Sequence, residues 1–435
     1  MEYRVHSISW NITQRCNLNC SHCYLDADFR LGRRTDELTR EDCNQVVDQI
    51  ASVNPNALLI LTGGEPLLRK DLCDIARYAT GKGFTVVIGT NGTPLNDDIA
   101  ARLIDSGVKG ASISLHSLRP DAHDGFTRVP GSWQGAIRGA ELLKREGLEF
   151  IIQTSVMGWN FGEVPEIIDF AYELGARAAN IYFLICTGRG QDLTDLSVPD
   201  YERMLSCLYE IQKSYQGKML IGAKCAPQYK RIVYEEDPSS PFLQSYSGGC
   251  PAATHYCRIT PKGDLTPCPY MPLSGGNLRE KSFAEIWRHA PLMQELRNRE
   301  LLQGRCGGCE LQNICGGCRA RAYAQTGSYL GEDPSCGYRP GKYGAQPVIL
   351  QEGLTFGLEA EFQSSWSDEA RNRLSKIPSF ARGMVIKSVE RFASERRYPV
   401  ITPDVMKEAR EKLVGAFGGM PPLGANTDRW KLDQK

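Results

Sequence analysis

Short apolar runs alternate with amphipathic stretches between residue 5 and about residue 190. The apolar runs are rich in Ile, Val and Leu, which is typical of strands buried on both faces of a parallel sheet. This pattern predicts six strands, at residues 5–13, 57–61, 84–89, 110–115, 150–156 and 180–185.

The stretches between these runs have the periodicity of amphipathic helices. Thr39 is a predicted N-cap, and Asp42 completes an acidic variant of the capping box. Strand–helix units that repeat in this way predict an α/β fold with a parallel sheet, either doubly wound or curled into a partial (β/α)6 barrel. Further helices are predicted at about 71–81, 96–106, 132–146 and 163–174, each with a glycine at or near its end.

The pattern changes after the last predicted strand. One stretch rich in Gly, Pro and Cys has weak periodicity, so it cannot fold by apolar burial alone and is expected to need bound metal. Near the C-terminus, Ser367 and Thr402 are predicted N-caps of helices. The predicted segments are a first domain at 1–198, a helical connection at 199–245, a loop-rich cluster-binding domain at 246–340, a linker at 341–364 and a small helical domain at 365–418.

The composition is that of an ordinary globular protein, because 41% of the 435 residues are hydrophobic and 23% are charged. The net charge is zero, which gives no reason to expect binding to nucleic acid or to an anionic membrane. No apolar run approaches the roughly 18 residues of a membrane span, and no export leader is evident. These features predict a cytoplasmic protein without a nucleic-acid or membrane partner.

The sixteen cysteines are unusual for such a chain. Cytosolic thiols stay reduced, so clustered cysteines are better explained as metal ligands than as disulfides. Eleven of them form two groups, with three near the N-terminus and eight between Cys250 and Cys336. The five outside these groups are Cys43, Cys73, Cys186, Cys207 and Cys225.

Cys16, Cys20 and Cys23 directly follow the first predicted strand. A four-iron cluster takes four ligands, so three thiolates leave one iron open for a substrate or cosubstrate. The alternative is a zinc site that lacks one ligand, although zinc usually draws on paired C-x2-C units. The spacing therefore favours an iron–sulfur cluster.

The sequence RCNLNCSHCY, which begins at Arg15, resembles the signature of the radical S-adenosylmethionine (SAM) superfamily. This resemblance implies an enzyme with a [4Fe–4S] cluster on the three cysteines and SAM as the cosubstrate. In that signature the residue before the third cysteine is commonly aromatic and lies beside the adenine, and here it is His22. When bound, these cofactors supply reductive cleavage of SAM to a 5′-deoxyadenosyl radical, which abstracts hydrogen from the substrate.

A second motif of the superfamily, the sequence TGGEP, follows the second predicted strand. Glycines let a backbone approach a ligand closely, and a carboxylate can hold an ammonium. The resemblance implies that Gly63, Gly64 and Glu65 bind the methionine amino group of SAM.

Polar residues also stand at the ends of later strands. Asn91 follows the third strand, Ser114 ends the fourth, and Asn160 follows the fifth. Parallel α/β folds place their active sites at the carboxyl ends of strands. The resemblance extends to Ser114, which is similar to a serine that contacts the ribose, and we expect Asn91 and Asn160 to face the cosubstrate. A purely structural role is the alternative for each of them.

The eight later cysteines resemble a SPASM domain, the auxiliary-cluster module of many radical SAM enzymes. One spacing departs from the family, because only Gly316 and Gly317 separate the last close pair of cysteines. The resemblance implies two auxiliary [4Fe–4S] clusters that transfer electrons, while zinc is the alternative for paired C-x2-C units. The implied ligands are Cys250, Cys257, Cys268 and Cys318 for the first cluster, and Cys306, Cys309, Cys315 and Cys336 for the second.

Radical SAM enzymes with SPASM domains act on different substrates. The N-terminal sequence resembles the NirJ-like enzymes of the alternative haem pathway, which remove tetrapyrrole side-chain carbons. The tail, from Trp366 to Val405, resembles the C-terminal domain of light-independent protochlorophyllide reductase, another tetrapyrrole enzyme. These resemblances favour a tetrapyrrole substrate, with a peptide or protein substrate as the alternative. A non-catalytic electron carrier is disfavoured, and an active enzyme would need a low-potential donor such as ferredoxin or flavodoxin.

Overall fold

The computed structural model describes residues 3–29, 36–193, 196–244, 249–349, 362–377 and 379–417. Its strands are β1 Ser7–Asn11, β2 Arg15–Cys16, β3 Asp28–Phe29, β4 Leu58–Thr62, β5 Thr85–Thr90, β6 Gly110–Ser114, β7 Glu149–Val156, β8 Ala178–Phe183, β9 Leu220–Lys224, β10 Tyr256–Ile259, β11 Asp264–Thr266 and β12 Gly276–Asn277.

Helices occupy most of the connections between these strands. They are α1 Arg40–Ala51, α2 Leu72–Gly81, α3 Asp97–Asp105, α4 Pro120–Thr127, α5 Ser132–Arg145, α6 Val164–Leu174, α7 Val198–Ser214, α8 Gln228–Glu236, α9 Pro241–Gln244, α10 Phe283–His289, α11 Pro291–Arg297, α12 Gly304–Gly307, α13 Arg319–Thr326, α14 Asp368–Ser375, α15 Ser379–Arg396 and α16 Pro403–Phe417. The predicted capping box at the start of α1 is present, with Thr39 and Asp42 each accepting from the other's backbone amide.

The main sheet has the order β12-β11-β10-β1-β4-β5-β6-β7-β8-β9. The strands from β10 through β1 to β9 are parallel to one another, and β11 and β12 are added to β10 in antiparallel pairs. The predicted α/β fold with a parallel sheet is confirmed. The structure adds β9, which is a five-residue strand within the segment predicted as a helical connection.

The two faces of this sheet differ in chemistry because side chains alternate along each strand. The helix-covered face is apolar, and Ile8, Trp10 and Leu59 are completely buried on it. The other face, here called the polar face, is continuous from strand to strand because the parallel strands are in register. Its members include Ser9, Asn11, Thr62, Ser112, Ser114, Gln153, Ser155, Asn180, Tyr182, Lys224, Tyr256 and Arg258.

Helices α14 to α16 form a separate small core near the C-terminus, with Trp366 and Phe392 among its buried residues. This module contacts the α1–β4 connection, where Asn54 donates to the Ser379 hydroxyl at 3.0 Å. Among the described residues, no helix has both the length and the apolar character needed to span a membrane.

Candidate active site

Cys16, Cys20 and Cys23 lie in the segment that follows β1, with Cys16 at the end of β2. Cys16 is buried, and Cys20 and Cys23 are partly buried and pack against the same small cluster. The amide of Leu18 donates to the Cys16 sulfur at 3.4 Å, and the amide of Ala27 donates to the Cys23 sulfur at 3.4 Å. Burial, together with the nearby Glu65 carboxylate, raises the pKa of Cys16 to about 12. The three thiols interact electrostatically with one another. Binding to a metal would remove their protons in spite of the raised pKa, so the group fits a shared iron centre.

The turn at residues 63–65 packs directly against the start of the cysteine loop. The Gly64 amide donates to the Thr13 carbonyl at 2.8 Å, and the Glu65 amide donates to the Arg15 carbonyl at 2.7 Å. A β-carbon at either glycine would overlap backbone, at Thr13 for Gly63 and at Arg15 for Gly64. Gly63 also has a φ of 148°, which other residues rarely adopt. Only glycine therefore allows this close contact.

Glu65 is completely buried at the centre of this turn. Its carboxylate accepts hydrogen bonds from the Thr90 hydroxyl at 2.7 Å, the Asn91 amide at 2.8 Å and the Leu67 amide at 3.1 Å. Burial raises the pKa of Glu65 to about 7, against the lowering effect of these donors. A buried carboxylate with only neutral partners is suited to receive a cationic group.

The loop after β5 is joined to the cysteine loop by side chains. Asn91 donates to the Asn17 side-chain oxygen at 2.9 Å, and Asn17 donates to the Thr93 hydroxyl at 2.7 Å. Asn17 lies between the first two cysteines of the triplet. The predicted site residue Asn91 therefore connects Glu65, through its backbone amide, to the cluster-binding loop.

Arg189, in the connection between β8 and α7, also contacts the cysteine loop. Its guanidinium donates to the Cys20 carbonyl at 3.1 Å and to the Ala27 carbonyl at 2.8 Å, and it pairs with Asp26 at 3.0 Å. Gly188 precedes it with a φ of 58°, and a β-carbon there would overlap the Tyr24 carbonyl. Arg189 was not predicted from the sequence, because nothing in its local pattern indicates a contact so distant in the chain.

His22 contacts two aromatic rings from other elements, that of Phe126 on α4 and that of His116 just after β6. Its ring stacks on Phe126 at a centroid distance of 4.6 Å and meets the His116 ring edge-on at 4.7 Å. Burial lowers the pKa of His22 to about 4, so its ring is neutral at physiological pH. This flat, uncharged surface beside the cysteines fits the predicted contact with an adenine. Phe126 and His116 were not predicted.

Ser114 and Asn160 occupy different positions at the same edge of the sheet. Ser114 ends β6 on the polar face and is partly buried. Asn160 is completely buried, donates to the His116 carbonyl at 2.8 Å and the Ser155 carbonyl at 2.9 Å, and accepts from the Met157 amide at 2.8 Å. Asn160 therefore joins two loops, and direct contact of either residue with a cosubstrate stays a prediction.

One arginine stands among tyrosines on the polar face of the sheet. Arg258 donates to the Asn11 side-chain oxygen at 2.5 Å and to the Pro269 carbonyl at 3.1 Å, and its guanidinium lies 5.8 Å from the centroid of the Tyr24 ring. Tyr24 in turn lies 4.9 Å from Tyr270. Tyr24 interacts electrostatically with both Cys23 and Cys268, so this group lies between the first cysteine loop and the later cysteines.

Four of the later cysteines line one small cavity with Arg231 and Gly317. They are Cys306, Cys309, Cys315 and Cys336. Amides donate to two of their sulfurs at 3.4 Å, from Gly317 to Cys315 and from Asp333 to Cys306. Such donors are typical around cluster-bound sulfur, so these residues fit the set predicted for the second auxiliary cluster.

The four cysteines predicted for the first auxiliary cluster do not all lie together. A hydrogen bond between the Cys318 and Cys250 side chains lowers the pKa of Cys250, and Cys268 interacts electrostatically with Cys250. Cys257 lies in β10, where it is completely buried and pairs in register with Ile8. Cys225 interacts electrostatically with Cys250, although it is not part of either cluster of cysteines in the sequence.

Family models match three segments of the chain. The Radical SAM superfamily matches residues 10–171, an Iron-sulfur cluster-binding domain matches 250–318, and the Proto-chlorophyllide reductase 57 kD subunit matches 366–410. The last two agree with the resemblances found in the cysteine-rich segment and in the tail.

Curated proteins and a solved structure are similar over most of the chain. An AdoMet-dependent heme synthase of Methanosarcina barkeri is 40% identical over 77% of this chain and 97% of its own length. The mycofactocin maturase MftC of Mycobacterium ulcerans is 29% identical over 79% of this chain and 90% of its own. The crystal structure of SuiB from Streptococcus suis, bound to S-adenosylmethionine, covers 77% of this chain and 78% of its own, with a TM-score of 0.62 and 18% identity, which supports the fold.

Proposed function

The chain belongs to the radical SAM family, in the group that carries an iron–sulfur SPASM domain, and on that premise we propose that it modifies a tetrapyrrole in the biosynthesis of a haem-type cofactor. The observation that carries this proposal is the similarity to an AdoMet-dependent heme synthase, at 40% identity over 97% of that protein.

The residues that would hold the cofactors lie at the carboxyl edge of the sheet. Cys16, Cys20 and Cys23 would ligate the [4Fe–4S] cluster, Glu65 would bind the amino group of SAM, and His22 would lie against the adenine. When bound, these groups supply the 5′-deoxyadenosyl radical that starts the reaction on the substrate. The protein's own work is to orient them through the backbone contacts of the glycine turn and to exclude water with the buried aromatic group.

The polar face offers contacts for a flat, acidic substrate. Tyr24 and Tyr270 supply aromatic surface for a macrocycle, and the Arg258 guanidinium is suited to a propionate carboxylate. The reaction that we propose is loss of a side-chain carboxylate as CO2, in which one hydrogen atom and one electron also leave and a carbon–carbon double bond forms. The hydrogen atom would go to the 5′-deoxyadenosyl radical, giving 5′-deoxyadenosine, and the electron would go to an oxidant such as an oxidised iron–sulfur cluster held by the later cysteines.

We also propose two auxiliary [4Fe–4S] clusters and a low-potential donor such as ferredoxin or flavodoxin. The support for two clusters is the eight predicted cysteine ligands, of which one complete set lines a cavity. A cytoplasmic location stays a prediction. A peptide or protein substrate is the second candidate, and the observation that favours it is the similarity to a mycofactocin maturase, at the lower identity of 29%.

Incubation of the anaerobically reconstituted, reduced enzyme with SAM and a candidate substrate tests this proposal. With sirohaem-derived porphyrins that carry propionates we expect substrate-dependent release of 5′-deoxyadenosine and loss of CO2 from the porphyrin by mass spectrometry. Arg258→Gln should raise the KM for the porphyrin and leave SAM binding unchanged. Release of 5′-deoxyadenosine that depends on a peptide, with no response to any porphyrin, would overturn the tetrapyrrole proposal.

A further inference from the structure

The orientation of Cys257 follows from its two neighbours in β10. Arg258 contacts Asn11 and the ring of Tyr24, and Tyr256 interacts with Ser9, so both side chains lie on the polar face. Because side chains alternate along a strand, Cys257 between them lies on the opposite, helix-covered face.

The surroundings of Cys257 are those of an ordinary core residue. It pairs in register with Ile8, and its charged neighbour is Arg297, whose guanidinium lies 4.5 Å from the Trp287 ring and donates to the Ala253 carbonyl at 2.7 Å. No other cysteine of the described chain appears among the groups that interact with its thiol. A sheet therefore separates Cys257 from Cys268, which interacts with Tyr256 on the polar face.

Cys225 lies in the same region as three cysteines of the predicted first set. It directly follows β9 and has a φ of 58°, a left-handed conformation that non-glycine residues seldom adopt. Strained backbone of this kind is often retained at functional sites. The Cys225 thiol interacts electrostatically with Cys250, Cys268 and Cys318, the three remaining members of the predicted first set.

Hydrogen bonds hold the segment that contains Cys225 next to the segment that contains Cys318. The Asp333 carboxylate accepts from the Cys318 amide at 2.7 Å and from the completely buried Arg321 at 3.4 Å. Arg321 also donates to the Cys225 carbonyl at 3.0 Å. One buried ion pair thus positions both cysteines, and it does so without using either thiol.

We propose that Cys225 is the fourth ligand of the first auxiliary cluster, with Cys250, Cys268 and Cys318, and that Cys257 is a structural core thiol. This inference rests on the proposed presence of that cluster. The proposed ligand set has Cys225 in place of Cys257, which the family resemblance implies. The reason is geometric, because Cys257 lies on the helix-covered face of β10.

Single alanine variants in the full chain test the assignment, in a background where Cys16, Cys20 and Cys23 are also alanine. After anaerobic reconstitution, iron and sulfide content, with Mössbauer spectra, report the auxiliary clusters alone. We expect Cys225→Ala to lose up to about four iron atoms per chain or to hold a three-iron form, and we expect the same of Cys318→Ala. Cys257→Ala should keep the iron content and spectrum of the background.

The results of these experiments distinguish a wrong ligand assignment from the absence of the cluster. Loss of iron in Cys257→Ala with an unchanged Cys225→Ala would overturn our assignment and restore the family pattern. An unchanged iron content in Cys318→Ala would show that this site holds no cluster, which contradicts the proposed function instead. Cys225→Ser, which keeps side-chain volume and offers a weaker oxygen ligand, should fold and shift the spectrum, so misfolding of the alanine variant leaves the assignment testable.

Discussion

The backbone amide of Glu65 donates to the carbonyl oxygen of Arg15, the residue that precedes the first cluster cysteine, at 2.7 Å. The residue expected to hold the SAM ammonium is therefore fixed to the residue that begins the cluster loop without an intervening side chain. Backbone contacts of this kind vary little in length, so the distance between the iron site and the ammonium site is set by the fold itself.

Gly64→Ala should disrupt this contact, because the new β-carbon would overlap the Arg15 carbonyl. We expect at least a tenfold loss of SAM affinity and a lower iron content after reconstitution, measured by equilibrium binding and iron assay. Gly81→Ala is the matched control, since a β-carbon at Gly81 meets no atom within 4 Å. Equal SAM affinity in the two variants would contradict the role given to this turn.

Glu65→Gln should weaken SAM binding by about 10- to 100-fold, since a hydrogen bond to a charged group is worth about 1.5–3 kcal/mol. Iron content should stay unchanged, because Glu65 is not a cluster ligand. Isothermal titration of the reconstituted protein measures the affinity. Glu149→Gln, at the amino end of β7 and paired with Arg177, is the control that should bind SAM normally. Normal SAM binding by Glu65→Gln would show that Glu65 does not bind the SAM amino group.

Arg189→Ala should loosen the cysteine loop, because the guanidinium holds the Cys20 and Ala27 carbonyls. We expect the SAM-binding cluster to be lost several-fold faster in the presence of a chelator, followed by absorbance under anaerobic conditions. Arg203→Ala removes an arginine whose ion pair with Asp200 is exposed, and should lose iron at the native rate. Equal rates of cluster loss in the two variants would show that Arg189 does not stabilise the cysteine loop.

Lys230 gives a pH-dependent prediction away from the active site. Burial lowers the pKa of Lys230 from 10.5 to about 7, so between these values the unfolded chain binds more protons and native stability rises with pH. Lys230→Met should raise the Tm by about 5 °C at pH 7, and the gain should shrink towards pH 10. Thermal unfolding of the cluster-loaded protein across this range provides the measurement. A gain that is independent of pH would show that packing, not charge burial, is responsible.

Much of the site was predictable because parallel strands end at one edge. The positions of Cys16, Glu65 and Asn91 after successive strands were enough to predict that they meet, and the structure brings them together. Asn17 and Arg189 were missed because their partners are set by loop packing, which leaves no periodic signal in the sequence.

The face of Cys257 could not be predicted for a different reason. The side chain that a strand presents depends on its register, and a shift of one residue exchanges the faces. Nothing in the sequence shows that β10 pairs with β1 at all, since almost 250 positions lie between Ser7 and Tyr256. The spacing of the cysteines predicts how many ligands are available. Which of them bind the cluster depends on the register of the sheet, because the register decides the face on which Cys257 lies.

Cys225 directly follows β9 at one end of the main sheet, and Cys268 follows β11 near the other end, so the proposed ligand set joins segments from both ends. Metal binding by Cys225 and Cys318 would close a long loop of the chain between these two residues. In chain-entropy models, closing a loop of about 100 residues destabilises the unfolded state by about 5 kcal/mol. Iron at this position would therefore act as a cross-link, and its loss to oxygen would free the two ends of the sheet to separate.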